Sequence, residues 1–259
     1  MADDKIRLGG MALANGVLVH GPTSWACAVR TRDGRLKVVA EPKRVLGSSF
    51  RMPLVRGPAR LAESFAFLPR VKRALPEAEF PFEGRRPLAS LLASAVVLQG
   101  VRRTRLGDAV KELAGALLSV APAMLTLRQG SVAAYHGAEH IAIGSYEHDE
   151  PRAREHERCG THLVGPLLAT AALGNVLAAR APVRFRLAAR LGATAGAVAA
   201  STEIFSWMQR NPERRLARVL ARPGHEFQHH FATAEPTPEQ LEVAEAALLA
   251  CLELERAQA

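Results

Sequence analysis

Two histidines four residues apart, with a glutamate directly before the second, give this chain its clearest capacity for chemistry. In Tyr135-His136-Gly137-Ala138-Glu139-His140, a helix puts His136 and His140 on one face at i, i+4, with Glu139 at i+3 from the first. This is the HxxEH spacing. Two imidazoles suit a borderline-soft divalent ion such as zinc, and a carboxylate beside them suits proton transfer to and from water. A second stretch, His225-Glu226-Phe227-Gln228-His229, carries the uninverted HExxH letters. Spacing alone does not separate the two. Three fixed positions in five recur by chance, and either pair of histidines also reads as structural or solvated side chains.

Two imidazoles do not complete a metal site; a catalytic one takes a third protein ligand and keeps a fourth position open. Glu203 is the first candidate. It sits in the uncharged stretch Thr202-Glu203-Ile204-Phe205, where a carboxylate is costly unless it meets a metal or a cation, an arginine such as Arg190 serving equally well. Glu147 lies i+7 from His140, about 10 Å further along a helix, a spacing that suits a second ion or a supporting role better than the same ion. Cys159 offers a thiolate beside Arg158, although Arg158-Cys159-Gly160-Thr161 also reads as a helix start capped by Thr161. Tyr135 is placed to hydrogen-bond a developing oxyanion or to sit in a core. His148 and His156, among Asp149, Glu150, Glu155 and Glu157, read as solvated surface.

The elements that must hold these residues divide along the chain. Gly16 to His20, Trp25 to Arg30 and Leu36 to Glu41 are β-prone runs separated by Gly21-Pro22-Thr23-Ser24 and Arg32-Asp33-Gly34, which predicts a three-stranded antiparallel meander. Gly9-Gly10 before it signals a tight bend or a close backbone approach. Leu54 to Ala74 suits one amphipathic helix, and Leu75 to Pro87 reads as an irregular connection. Four Ala/Leu-rich segments follow, Pro87 to Val101, Leu113 to Leu127, His162 to Ala179 and Leu187 to Met208. Arginine-bearing connections at 102–105 and 180–186 would make two helical hairpins of them. Thr237 is a candidate cap for a last helix from Gln240 to Arg256, with Leu241, Ala244, Leu248 and Cys251 or Leu252 on its apolar face and its glutamates in solvent. The expected fold class is α+β: a small N-terminal meander, then a mainly helical domain. The expected divisions are a basic region at 1–86, a helical domain with the HGAEH phrase at 87–222, and an acidic helical region at 223–259.

Composition agrees with a packed, mostly helical protein: 48% of the 259 residues are hydrophobic and only 5% aromatic, so alanine, leucine and valine build the core. The net charge of +9 is uneven, with 16 Lys/Arg against 8 Asp/Glu in residues 1–86 and one Arg against seven Glu in 223–259. No basic run is interleaved with aromatics and no nucleic-acid module is recognisable. An anionic membrane surface is therefore the expected partner in place of a nucleic acid. Cys27, Cys159 and Cys251 are odd in number and widely spaced, which argues against a disulfide framework and for a reducing compartment. The polar start lacks the apolar run of a secretory signal. The uncharged stretches of about 15 to 18 residues fall at or below the roughly 20 needed to span a bilayer, and mean hydropathy is only +0.01. Membrane association on the cytoplasmic side is expected, with spanning left open.

A series of phrases runs in order along the chain: Gly9-Gly10-Met11-Ala12, Asn15-Gly16-Val17, Gly21-Pro22, Trp25 to Arg30, Pro53 to Gly57, Glu63-Ser64, Tyr135 to His140, Tyr146-Glu147, Arg158 to Thr161, Pro223-Gly224, Gln228, Thr233, Glu235-Pro236 and Gln240 to Ala244. Together they resemble the bacterial YqhQ-like proteins, the DUF1385 family. The resemblance implies a metal-dependent enzyme of the membrane without an assigned reaction. It places the HGAEH phrase at the centre, and it leaves His225, Glu226 and His229 as a departure particular to this chain. Two further departures are the shortened, alanine-rich apolar segments and Ile141, where the family commonly has a lysine. The resulting expectation is a metal-dependent hydrolase of amide or ester bonds, with His136, His140 and Glu203 as ligands, Glu139 as general base and Tyr135 assisting. Cys159 and Glu147 stand in reserve. The competing expectations are a membrane-associated scaffold or binding protein with a polar network at HGAEH, and a protein that holds a redox metal or haem without hydrolysis.

Overall fold

Alternating apolar side chains fold the start of the chain into an antiparallel meander. Its strands are β1 (Gly9–Ala12), β2 (Gly16–His20), β3 (Ser24–Arg30) and β4 (Leu36–Pro42), hydrogen-bonded in the order β1-β2-β3-β4. The computed structural model describes residues 5–43, 52–83, 85–127 and 131–258. Three strands were expected; the fourth, β1, is the Gly9-Gly10 segment, whose glycines weaken the strand signal in sequence.

Both faces of the sheet are covered, which is why β2 and β3 are buried almost throughout. Leu18, Trp25, Cys27 and Val29 point to one side, against Phe67, Leu68, Val71 and Leu75. Val17, Val19, Ala26 and Ala28 point to the other, against Tyr135, Ala138 and Ala142 of α5 (Val132–His148) and Val243, Ala244, Ala247 and Cys251 of α9 (Pro238–Gln258). The alternation follows from the two-residue period of a strand. The single helix expected over 54–74 is two, α1 (Arg56–Ala66) and α2 (Leu68–Ala74). The break falls at Phe67, before Pro69, which has no N–H to continue the ladder.

The last helix begins at a capping box. Thr237 Oγ1 accepts from Gln240 N at 3.3 Å, and Gln240 Oε1 accepts from Thr237 N at 2.9 Å. Its glutamates do not all face solvent. Glu255 is buried and accepts from the backbone of Thr23 and Ser24 at 2.8 and 2.7 Å and from both hydroxyls, so it clasps the β2–β3 turn. The acidic 223–259 segment therefore shares a core with the basic N-terminal sheet, across the division expected from charge.

The alanine-rich segments form α3 (Arg85–Arg103), α4 (Asp108–Leu127), α6 (Val164–Ala179) and α7 (Arg186–Arg210), paired as α3 with α4 and α6 with α7. The arginine-bearing connections lie at the hairpin tips, as expected. Much of their apolar surface is uncovered, including Leu91, Val96, Leu117, Leu173, Leu177 and Leu191. Two stretches, Val110–Leu127 and Gly160–Ala179, are long and apolar enough to cross a membrane by length and composition. A short α8 (Arg215–Phe227) runs into a π-helical turn, Gln228–Ala232, before α9.

Candidate metal centre

The site is built on α5, whose faces have distinct tasks. Tyr135, Ala138 and Ala142, at i, i+3 and i+7, are packed in the core against the sheet and α9. His136 and His140, about 100° round the helix, are turned away from that core, and both are buried. Their rings lie 4.3 Å apart between centroids. Tyr135 is accordingly a core residue, its hydroxyl pKa raised by burial and only partly offset by Arg30. The residue expected to assist an oxyanion thus lies in the core cluster shared by the sheet, α5 and α9.

Each imidazole is oriented by a backbone carbonyl. His136 Nδ1 lies 2.8 Å from Ala232 O and His140 Nδ1 lies 2.6 Å from Arg154 O. A carbonyl oxygen only accepts, so Nδ1 carries the proton in both rings and Nε2 is left with a lone pair. Gly137 makes this possible, since a Cβ there would stand 2.2 Å from Ala234 O and push the 232–234 segment away. The glycine inside HGAEH is thus explained by a close backbone approach.

Cys159 stands where a third donor would. A ring nitrogen of His136, one of His140 and Cys159 Sγ all lie within 4.8 Å of one another, a group that could hold a metal ion. His136 Nε2 is 3.4 Å from Sγ. A tetrahedral zinc with nitrogen at about 2.0 Å and sulfur at about 2.3 Å separates the two donors by about 3.5 Å, so the pair has the span of a coordination edge.

Glu203, the expected third ligand, is elsewhere. It accepts from Arg56 Nε at 2.9 Å and Leu54 N at 3.1 Å, and pairs with the other end of the same guanidinium. The cation that makes a carboxylate tolerable in α7 is Arg56, while Arg190 lies 3.5 Å from the buried Glu112. The helix-start reading of Cys159 holds with a change of partner: its sulfur, not the Thr161 hydroxyl, caps the 3-10 turn Gly160–Leu163, accepting from Thr161 N at 3.5 Å.

Charge in this cluster is suppressed by burial. Desolvation pushes the Glu139 carboxyl up to about 7, helped by Cys159 and opposed by His136 and His156. It holds the His140 imidazole well below its usual range, with His136 adding to the effect. It raises the Cys159 thiol against the bonds from Thr161. The neighbouring Arg158 does not counter this, because it is paired with Glu147. A thiol and two imidazoles beside a buried carboxyl suit a divalent cation, whose two charges one thiolate and one carboxylate would balance.

Glu139 lies under the sheet. A Cβ on Gly10 would come within 2.3 Å of its carboxylate, so the glycine that obscured β1 in sequence is where the backbone admits Glu139. Glu147 lies 3.1 Å from His156 Nε2 and pairs with Arg158. His156 is not solvated surface. It packs against His140 at 5.5 Å between ring centroids and forms part of the wall of a cavity of about 680 Å³, with Arg7, Arg152, Arg158, His162 and His225. The acidic residues around it in sequence concealed this, and no local pattern marks it.

The HExxH stretch has none of these features. His225, Glu226 and His229 are exposed, the π-helical turn interrupts the regular helix after Phe227, and His229 pairs with Glu155 at 2.9 Å. Gln228, between them, is fully buried and bonds the 156–162 segment.

A model of a protein family of unknown function, DUF1385, matches residues 120–254. No curated protein and no solved structure matches the chain. The matched segment is more than half of the chain and contains His136, Glu139, His140, Cys159 and Gln228, so the chain belongs to the DUF1385 family.

Proposed function

We propose that this protein is a metal-dependent hydrolase of amide or ester bonds, with His136, His140 and Cys159 holding a divalent ion such as zinc. The observation that carries the reading is the convergence of two buried imidazoles and the half-buried Cys159 sulfur within 4.8 Å, beside the buried carboxyl of Glu139. When bound, such an ion polarises a carbonyl and makes water acidic enough to lose its proton near neutral pH. Glu139, a buried carboxyl beside these donors, would accept a proton from water and return it to the leaving group. The adjoining cavity has room for a small molecule or a short peptide segment, and His156 lies between it and His140. The uncovered apolar flanks of the two hairpins, tipped with Arg102, Arg103, Arg105, Arg180, Arg184 and Arg186, support work at an anionic membrane surface.

Metal analysis and hydrolysis of a chromogenic aryl ester by zinc-loaded protein test the reading together. Glu139→Gln is expected to keep its metal and lose turnover by about 100-fold or more, the scale of a positioned acid–base group. Equal turnover in wild type and Glu139→Gln would favour the scaffold reading, in which the carboxyl is a silent part of a polar network.

A further inference from the structure

Outside the candidate donors, Gln228 is a polar side chain held from both ends of its amide. It is 0% exposed and is the first residue of the π-helical turn. Its Oε1 accepts from His156 N at 2.9 Å. Its Nε2 faces three acceptors: His156 O at 3.2 Å, Thr161 Oγ1 at 2.7 Å and His162 Nδ1 at 3.1 Å. A backbone N–H only donates and a carbonyl only accepts, so the pairing with His156 fixes which end of the amide is which. The side chain therefore spans the 156–162 segment at both ends, and Cys159 lies between the two points it holds.

The other end of the same turn reaches the histidines. Ala232 O accepts from His136 Nδ1 at 2.8 Å, and Ala234 N donates to Ala133 O at 2.9 Å. Thr233 Oγ1 donates back to Gln228 O at 2.9 Å, closing the turn on itself. One five-residue π turn thus grips the segment that carries the thiol with its first side chain and the helix that carries the imidazoles with its last carbonyl. A π turn puts an extra residue into each ring of hydrogen bonds, and such turns recur where a helix must aim a side chain.

We infer that Gln228 is a positioning residue of the metal centre. By tying His156, Thr161 and His162 to the turn that orients His136, it sets the distance of Cys159 Sγ from the two imidazoles. This inference rests on the metal reading proposed above and adds to it the residue that assembles the site. Its loss frees the 156–162 segment, and with it Cys159, while removing no candidate ligand from the chain.

Cobalt(II) titration of the full-length protein, read by the thiolate-to-metal charge-transfer band and by the dissociation constant, tests it. Wild type is expected to bind one cobalt with a sulfur band, and Cys159→Ser to lose the band. Gln228→Ala is expected to bind about 10- to 100-fold more weakly, the range for residues that orient ligands, with helical content unchanged. Where Gln228→Ala does not fold, Gln228→Glu carries the same comparison, since it keeps the volume but loses the donors to Thr161 and His162. An unchanged dissociation constant and band in a folded Gln228 variant would overturn the inference alone. Absence of cobalt binding in wild type would remove the metal reading beneath it.

Discussion

Two stretches of this molecule carry nearly the same letters and differ in every physical respect that matters for coordination. His136 and His140 are buried on an uninterrupted helix, each Nδ1 is bonded to a backbone carbonyl, and a cysteine stands within reach. His225 and His229 are exposed, separated by the start of a π turn, and His229 is spent on Glu155. Spacing creates the opportunity for a metal site. Burial, a fixed tautomer and a third candidate donor brought from another element are what the first stretch adds to its spacing and the second lacks. The sharpest test sets the two against each other. His136→Ala or His140→Ala is expected to weaken cobalt or zinc binding by more than about 100-fold, beyond what outer residues cost, while His225→Ala and His229→Ala leave it within about twofold. Equal losses from both pairs, measured by the same titration, would erase the distinction.

The glutamates of the two stretches differ in the same way. Glu226 is half-exposed, pairing with Arg222 and His230, whereas Glu139 is packed under β1 with no room to spare. Gly10→Ala inserts a methyl group into the Glu139 carboxylate and is expected to destabilise the fold by about 1–3 kcal/mol, the cost of overpacking. Gly160→Ala, beside Cys159 but with open space around its Cβ, is expected to stay within about 0.5 kcal/mol. Urea unfolding of the two variants measures the difference, and a Gly10→Ala protein as stable as wild type would mean that Glu139 has space to move.

Burial also separates the histidines by pH. His20, set edge-on to Phe67 at 5.6 Å, has its pKa lowered to about 4, first by burial and then by Lys43, and His140 is lowered as well. A group whose folded pKa lies below its unfolded value of about 6.5 contributes stability that is complete above pH 6.5 and is lost as pH falls toward 4. Acid unfolding is therefore expected to begin below pH 6.5. His20→Gln should flatten that part of the profile. A profile left unchanged from wild type by His20→Gln would contradict the assignment of His20 as a neutral ring packed on Phe67.

How much of this was legible in the sequence follows the range of each interaction. Turn residues and two-residue alternation marked β2, β3 and β4, and Thr237 with Gln240 marked the start of α9, because those signals lie within a few residues of what they specify. The His136/Glu139/His140 group was legible for the same reason. What completes it was not: Cys159 comes from a separate turn, the carbonyls of Ala232 and Arg154 have no side-chain signature, and Gln228 acts across 72 residues on His156. Gly10 was read as a close approach without its partner, since a glycine announces room and not what fills it. His156 was taken for surface because charge in sequence does not record which way a loop folds back.

Glu203 is the case where a correct premise led to the wrong partner. A carboxylate in an apolar helix needs compensation, and the sequence offered a metal or Arg190; the fold supplies Arg56, 147 residues earlier, at the start of α1. The difference from Glu139 is instructive, because burial raises the pKa of the Glu139 carboxyl while the Arg56 guanidinium lowers that of Glu203. Glu203→Gln and Arg56→Ala should therefore leave metal binding unchanged. Each should cost only about 0–1 kcal/mol in stability, the scale of a partly exposed ion pair with side chains 20% and 28% accessible. A fall in bound zinc or cobalt in Glu203→Gln, with the fold intact, would return this residue to the ligand set and displace Cys159.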